Sequence, residues 1–158
     1  MAEKTVTIGW GRPTIKVKKV SEEDTAYKTL PTPMDGTTTL ETTQGDKMEA
    51  KIEGGENEAV KYKANTYELT FKIRHAPEKQ SELDVISDTD GVVAEEYSVQ
   101  VIPENEEAIG VEIARASVNV QTSFDTTDGV VKTYTFSALK NDKGKTVEFK
   151  KIQASEAA

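Results

Sequence analysis

The chain has 158 residues and no cysteine, and its acidic residues outnumber the basic ones 28 to 20, for a net charge of −8. That length fits a single core, since one core serves roughly 100–150 residues and chains divide into domains only well above that. The charge argues against a nonspecific grip on DNA or anionic lipid, which needs clustered Lys and Arg, and the missing thiols exclude disulfides, thiolate metal sites and cysteine nucleophiles.

Met1-Ala2-Glu3-Lys4 lacks the apolar core of a signal peptide, and no run approaches the ~20 apolar residues of a membrane span. The expectation is a soluble protein made in the cytoplasm. Residues 1–13 read as an N-terminal arm, with Gly9-Trp10-Gly11-Arg12-Pro13 placing the only tryptophan between two glycines and before a proline. The same Trp10 could instead cap one end of the core. Residues 14–20 form a strand with Ile15 and Val17 inward and Lys16, Lys18 and Lys19 outward. An acidic turn, Ser21-Glu22-Glu23-Asp24, precedes a short strand over 26–30. Pro31-Thr32-Pro33-Met34-Asp35-Gly36 is a loop, because neither proline can donate to a ladder.

Residues 37–43 are β-branched enough for a strand, and Gln44-Gly45-Asp46 turns the chain into the next one. Met48, Ala50 and Ile52 then alternate with Lys47, Glu49, Lys51 and Glu53. After Gly54-Gly55, Val60, Tyr62 and Ala64 alternate with Lys61 and Lys63. A third segment sets Tyr67, Leu69, Phe71 and Ile73 against Glu68, Thr70, Lys72 and Arg74. Each segment is expected to have one buried and one wet face. The inward parity switches between Ala64 and Tyr67, so Asn65 belongs in a turn or bulge.

Pro77, Glu78 and the three-residue spacing of Leu83 and Ile86 predict one helix over 77–87. Asp88-Thr89-Asp90-Gly91 stops it and starts a strand over 92–102, with Tyr97, Val99 and Val101 on one side. An acidic loop over 103–107 follows. Ile109, Val111 and Ile113 give way to Ala116, Val118 and Val120 in the opposite parity, which makes Ala114-Arg115 a second candidate bulge. Asp128-Gly129 is a hairpin signal leading to a strand with Tyr134, Phe136 and Ala138. Asn141-Asp142-Lys143-Gly144 makes the last turn, Val147 and Phe149 mark the last strand, and 153–158 is a loose tail. The tally is one domain, mainly β, with about nine strands and one short mid-chain helix.

Chemistry is hard to find in this chain. His75 is the lone histidine and has no evident triad or metal partner in the sequence. Asp88-Thr89-Asp90-Gly91 opens like a calcium loop, but Val92 and Val93 stand where that loop needs an Asp or Asn and a glycine. The acidic groups Glu22-Glu23-Asp24, Glu95-Glu96 and Glu104, Glu106-Glu107 could pair as acid and base, yet adjacent acids in turns read first as solvated surface. No phosphate loop, dinucleotide fingerprint, HExxH or nucleophile elbow occurs. Tyr67, Phe71, Tyr134 and Phe136 fall on the apolar parity and are assigned to the core rather than to an RNA-stacking face. No enzyme and no cofactor is expected.

Gly9-Trp10-Gly11-Arg12-Pro13-Thr14-Ile15, Leu30-Pro31-Thr32-Pro33, and above all Gly45-Asp46-Lys47-Met48-Glu49-Ala50-Lys51-Ile52-Glu53-Gly54-Gly55-Glu56 with the strand over 67–73 carry a resemblance. With them the chain resembles the major tail (tail tube) proteins of long-tailed bacteriophages, of the kind found in phages and prophages of gut Bacteroides-like bacteria. The succession of elements extends the likeness over nearly the whole chain. The resemblance implies a fold similar to the type VI secretion tube subunit: an antiparallel two-sheet sandwich or barrel with one helix. It also implies hexameric rings stacked into a hollow tube through which DNA passes without specific binding. The partners implied are further copies of the chain and other tail proteins, with no membrane, and the implied location is the virion tail. Ring closure would pair the sheet edges that otherwise invite aggregation. Trp10 and Arg12 on the arm, Glu49, Lys51 and Glu53 on the Glu/Lys segment, and Glu112 on the long strand are the candidate interface or lumen residues. The rival reading is a non-catalytic β-sandwich module for carbohydrate or protein recognition on a phage or cell surface, with Trp10 and Tyr27 as its loop aromatics.

Overall fold

The computed structural model describes residues 6–21, 27–105, 107–140 and 144–152. Its strands are β1 (Thr14–Lys19), β2 (Lys28–Thr29), β3 (Thr39–Thr43), β4 (Lys47–Lys51), β5 (Asn57–Tyr62), β6 (Thr66–Arg74), β7 (Tyr97–Ile102), β8 (Gly110–Asp125), β9 (Gly129–Ala138) and β10 (Glu148–Lys150). A 3₁₀ turn at Pro77–Lys79 leads into the single helical turn α1 (Gln80–Leu83). Every ladder between these strands is antiparallel. Eight strands make one sheet in the order β2-β1-β7-β8-β9-β6-β3, with β10 beside β8, while β4 and β5 form a separate hairpin.

The 16-residue β8 connects the two layers of this fold. Tyr97 lies opposite Ala116 but Val99 lies opposite Ile113, so β8 carries one extra residue at Ala114-Arg115. This is the bulge the parity switch required. Ser98 Oγ fills the gap by donating to the Ala114 carbonyl at 2.5 Å. Before the bulge β8 pairs with β7 on one edge and β10 on the other; after it, from Ala116 to Asp125, it pairs with β9. Such a bend is how one strand serves two packed layers. Ile15, Val17, Val99 and Ile113 from one layer meet Leu69, Phe71, Val118, Val120, Tyr134 and Phe136 from the other in one core cluster. Phe71 stacks between Tyr134 and Phe136, with ring centroids 5.4 and 5.5 Å away. Of the aromatics assigned to the core, Tyr67 alone is only half-buried, edge-on to Phe149 at 6.4 Å.

Other expectations need correction. The helix is shorter than 77–87: Ile86 N–H bonds the Leu83 carbonyl, so the spacing of three that buries both side chains belongs to a tight turn. The strand expected over 92–102 begins at Tyr97. Before it, Thr89 and Val92 exchange both backbone hydrogen bonds around Asp90-Gly91, a two-residue hairpin turn with φ of 51° and 87°. The third strand begins at Thr39 rather than at residue 37, because the Thr37 hydroxyl donates to the Met34 carbonyl and closes the loop. Asn65 does sit in the connection, where its Oδ1 accepts from Gly45 N–H. The tail over 153–158, most of the acidic turn, and Asn141 to Lys143 lie outside the described residues.

The largest departure concerns the hairpin. Met48, Ala50, Ile52, Val60, Tyr62 and Ala64 were expected inside, and all are exposed. None of them joins the core cluster.

Candidate assembly surfaces

Register explains why the β4–β5 hairpin stays out. Lys47 pairs with Tyr62 and Glu49 with Val60, whereas Met48 pairs with Lys61 and Ala50 with Ala59. Paired residues share a face, so the apolar row of β4 and the apolar row of β5 fall on opposite sides. Each face therefore carries one apolar row beside one polar row, and neither face can seal a core. On the first face Glu49 lies 2.7 Å from Lys47 and 3.7 Å from Lys51. The hydrogen bond from Lys47 holds the Glu49 carboxyl below its ordinary range, and Lys47 is raised in return. Met48, Ile52, Val60 and Tyr62 remain 45–51% exposed. A two-stranded hairpin alone in water is marginal and gains stability when strands or a covering face are added.

A second surface is built from the arm. Val6, Ile8 and Trp10 are 75%, 50% and 75% exposed. Gly9 lies against Pro103, and Arg12 N–H donates to Glu104 Oε2 at 3.2 Å. Beside this arm opens a cleft of about 650 Å³, floored by the cross-strand pair Val101 and Val111 and walled by Pro33 and Met34. The wall is anchored, since Met34 N–H bonds the Lys72 carbonyl at 2.7 Å. No local pattern marks this cleft, because its residues come from four separate stretches of the chain.

The structure brings Glu49 and Lys51 together on the hairpin, with Glu53 exposed near its tip, and sets Trp10 and Arg12 on the exposed arm. Glu112 sits apart from both. It lies 3.2 Å from Lys150 Nζ and accepts from Gln100 Nε2, in a cluster where β7, β8 and β10 meet. The Glu112 hydrogen bond raises Lys150. Tyr27, packed against Ile102 and Ile152, feels this cluster: burial raises its hydroxyl, with the Glu112 charge adding to the shift and a hydrogen bond with Ser98 opposing it.

Glu22, Glu23, Asp24 and Glu106 lie outside the described residues, and the described acidic residues are spread over separate pairs. Glu95 pairs with Lys19, Glu96 with Arg115 and Glu107 with Lys151, while Glu104 holds the arm. Asp88 accepts from Gly91 N–H and so serves its own turn. Among the described residues no group of three or more His, Asp or Glu side chains could hold a metal ion, and no helix is long and apolar enough to cross a membrane.

No family model matches the chain, and no curated protein matches it. Among solved structures 17 chains match. One is the sheath/tube terminator of an extracellular contractile injection system, PVC, in its extended state, with a TM-score of 0.60 and 16% identity over 95% of this chain and 99% of that one. At that identity the likeness is one of fold.

Proposed function

We propose that this chain is a non-enzymatic structural subunit of a phage-tail-like tube. It assembles with copies of itself into rings, hexameric in the reading its resemblance supports, that stack into a conduit for DNA. The observation that carries this is the β4–β5 hairpin: a sheet fragment with two open edges and two half-apolar faces, held clear of the subunit's own core. Strand addition between neighbours would cover those faces and pair those edges. The fold shared with a contractile-injection terminator supports a place in such a machine, and the 45–56 segment supports a tail-tube identity from a Bacteroides-type phage or prophage. A net charge of −8 suits a wall past which DNA slides, since carboxylates repel phosphates. The whole chain acts as one β unit, located in the virion tail.

A second reading draws on the neighbour, a sheath/tube terminator: this chain would then close the end of a tube as a single ring rather than build a stack. Negative-stain microscopy of the purified chain, alone and coexpressed with neighbouring tail proteins, separates the outcomes. Extended tubes support the tube subunit and single rings that do not stack support the terminator. A strict monomer under every condition defeats both.

A further inference from the structure

Building on this self-association, we propose that the cleft between the arm and the Pro33-Met34 wall receives Trp10 of a second copy. Trp10 is 75% exposed, yet the backbone around it is packed. A Cβ on Gly9 would lie 3.1 Å from the Pro103 ring, one on Gly11 would collide with the Glu104 carboxylate, and Arg12 N–H is bonded to that same carboxylate. The indole is thus held out into water by a fixed stretch of chain. Val6 and Ile8 are exposed as well, so the arm presents three apolar side chains to solvent, with Trp10 at its inner end.

The cleft has the matching form. Its floor is the Val101 and Val111 pair, its wall is pinned to β6 through Met34, and its volume of about 650 Å³ falls in the size range of sites that enclose an organic group. An indole buries roughly 150–250 Å² when enclosed. The chain's own Trp10 is poorly placed to fill it, because Gly9, Gly11 and Arg12 form the rim and turning the indole inward would break their contacts with Pro103 and Glu104. The lining already carries one charge of each sign, Asp35 and Arg12, so the fit rests on apolar shape rather than on charge. An arriving copy would bring an apolar knob to a hole with an apolar floor.

The test uses the full chain and its single tryptophan. Sedimentation velocity and intrinsic fluorescence are followed over a concentration series for the wild type, for Trp10→Ala, which lacks the knob, and for Thr32→Phe, which blocks the exposed cleft mouth; Asp35→Phe replaces the latter if it folds poorly. Wild-type emission should move to the blue as copies associate. Each variant should associate about 30-fold or more weakly, the scale for losing a buried tryptophan at an interface. Mixing the two variants should restore pairing, since one supplies the knob and the other the hole. Assembly undiminished in Trp10→Ala overturns this contact while leaving tube assembly standing. Blue-shifted emission from a wild-type monomer, independent of concentration, means the cleft holds its own Trp10 and also overturns it. A wild type that never associates, alone or with neighbouring tail proteins, removes both ideas.

Discussion

The hairpin offers the sharpest separation between folding and assembly. Met48, Ile52, Val60 and Tyr62 are each about half exposed, so half of each side chain remains to be covered by a partner. Fully burying such a side chain is worth about 1.5–3 kcal/mol, and half of that, taken four times, sets a ceiling of about 3–6 kcal/mol on what assembly recovers there. Replacing all four by threonine keeps strand propensity and removes most of the apolar surface. Association should weaken by roughly 10²–10⁴-fold, whereas each exposed substitution should alter folding stability by no more than about 0.5 kcal/mol. Thermal unfolding and sedimentation equilibrium on the same samples measure the two quantities. A melting temperature that collapses with the quadruple change would mean the hairpin folds onto its own subunit. Unchanged association would mean that its exposed rows meet nothing.

Four further outcomes concern the subunit alone. Tyr134 is fully buried, its hydroxyl has no hydrogen-bond partner among the described residues, and burial together with Asp88 and Asp84 raises its pKa above 10.0. Tyr134→Phe should therefore be neutral or stabilising by up to about 1 kcal/mol in urea unfolding, and a loss greater than that would show the hydroxyl to be bonded. Because burial raises both Tyr27 and Tyr134 above 10.0, the folded state holds their protons more tightly than the unfolded chain does. Their contribution is complete at neutral pH and is lost as pH climbs through the folded values, so stability should fall above about pH 10 and less steeply in Tyr134→Phe; a decline beginning near pH 7 would contradict this. Phe71→Ala, emptying the space between Tyr134 and Phe136, should cost about 3–5 kcal/mol in the same assay. Gly91→Ala places a Cβ 2.7 Å from the Val120 carbonyl at a φ of +87° and should cost about 1–3 kcal/mol, with faster amide exchange at Val120, whose N–H bonds Gly91.

The elements that could be read from the sequence are those whose pattern is local. Ile15 and Val17 on β1, Leu69, Phe71 and Ile73 on β6, and Tyr134 and Phe136 on β9 alternate strictly and are buried as the alternation requires. The parity switch from Ile113 to Ala116 located the bulge because a one-residue slip is visible in any single strand. The helix was misjudged because a spacing of three serves a 3₁₀ turn as well as an α-helix, and only the hydrogen bond from Ile86 to Leu83 distinguishes them. The cleft could not be foreseen, since Pro33, Val101 and Val111 meet only after the layers pack.

The hairpin failed for a reason that bears on function. Alternation within β4 and within β5 says which residues share a side of each strand, but not whether the two apolar rows share a face of the hairpin. That depends on the connection, and here the pairing of Met48 with Lys61 and Glu49 with Val60 splits them. A register shifted by one residue would put Met48, Ala50, Val60 and Tyr62 on one continuous greasy face, the kind of patch that binds indiscriminately. Divided as they are, each row lies beside charges such as Lys47 and Glu49 or Lys61, which discourage random association of the free subunit. Each row still offers a strand-width strip to a neighbour that arrives in register. A hairpin patterned this way gains little from its own core and would gain much from an ordered partner on each face, which is the physical ground for the proposal that it serves assembly.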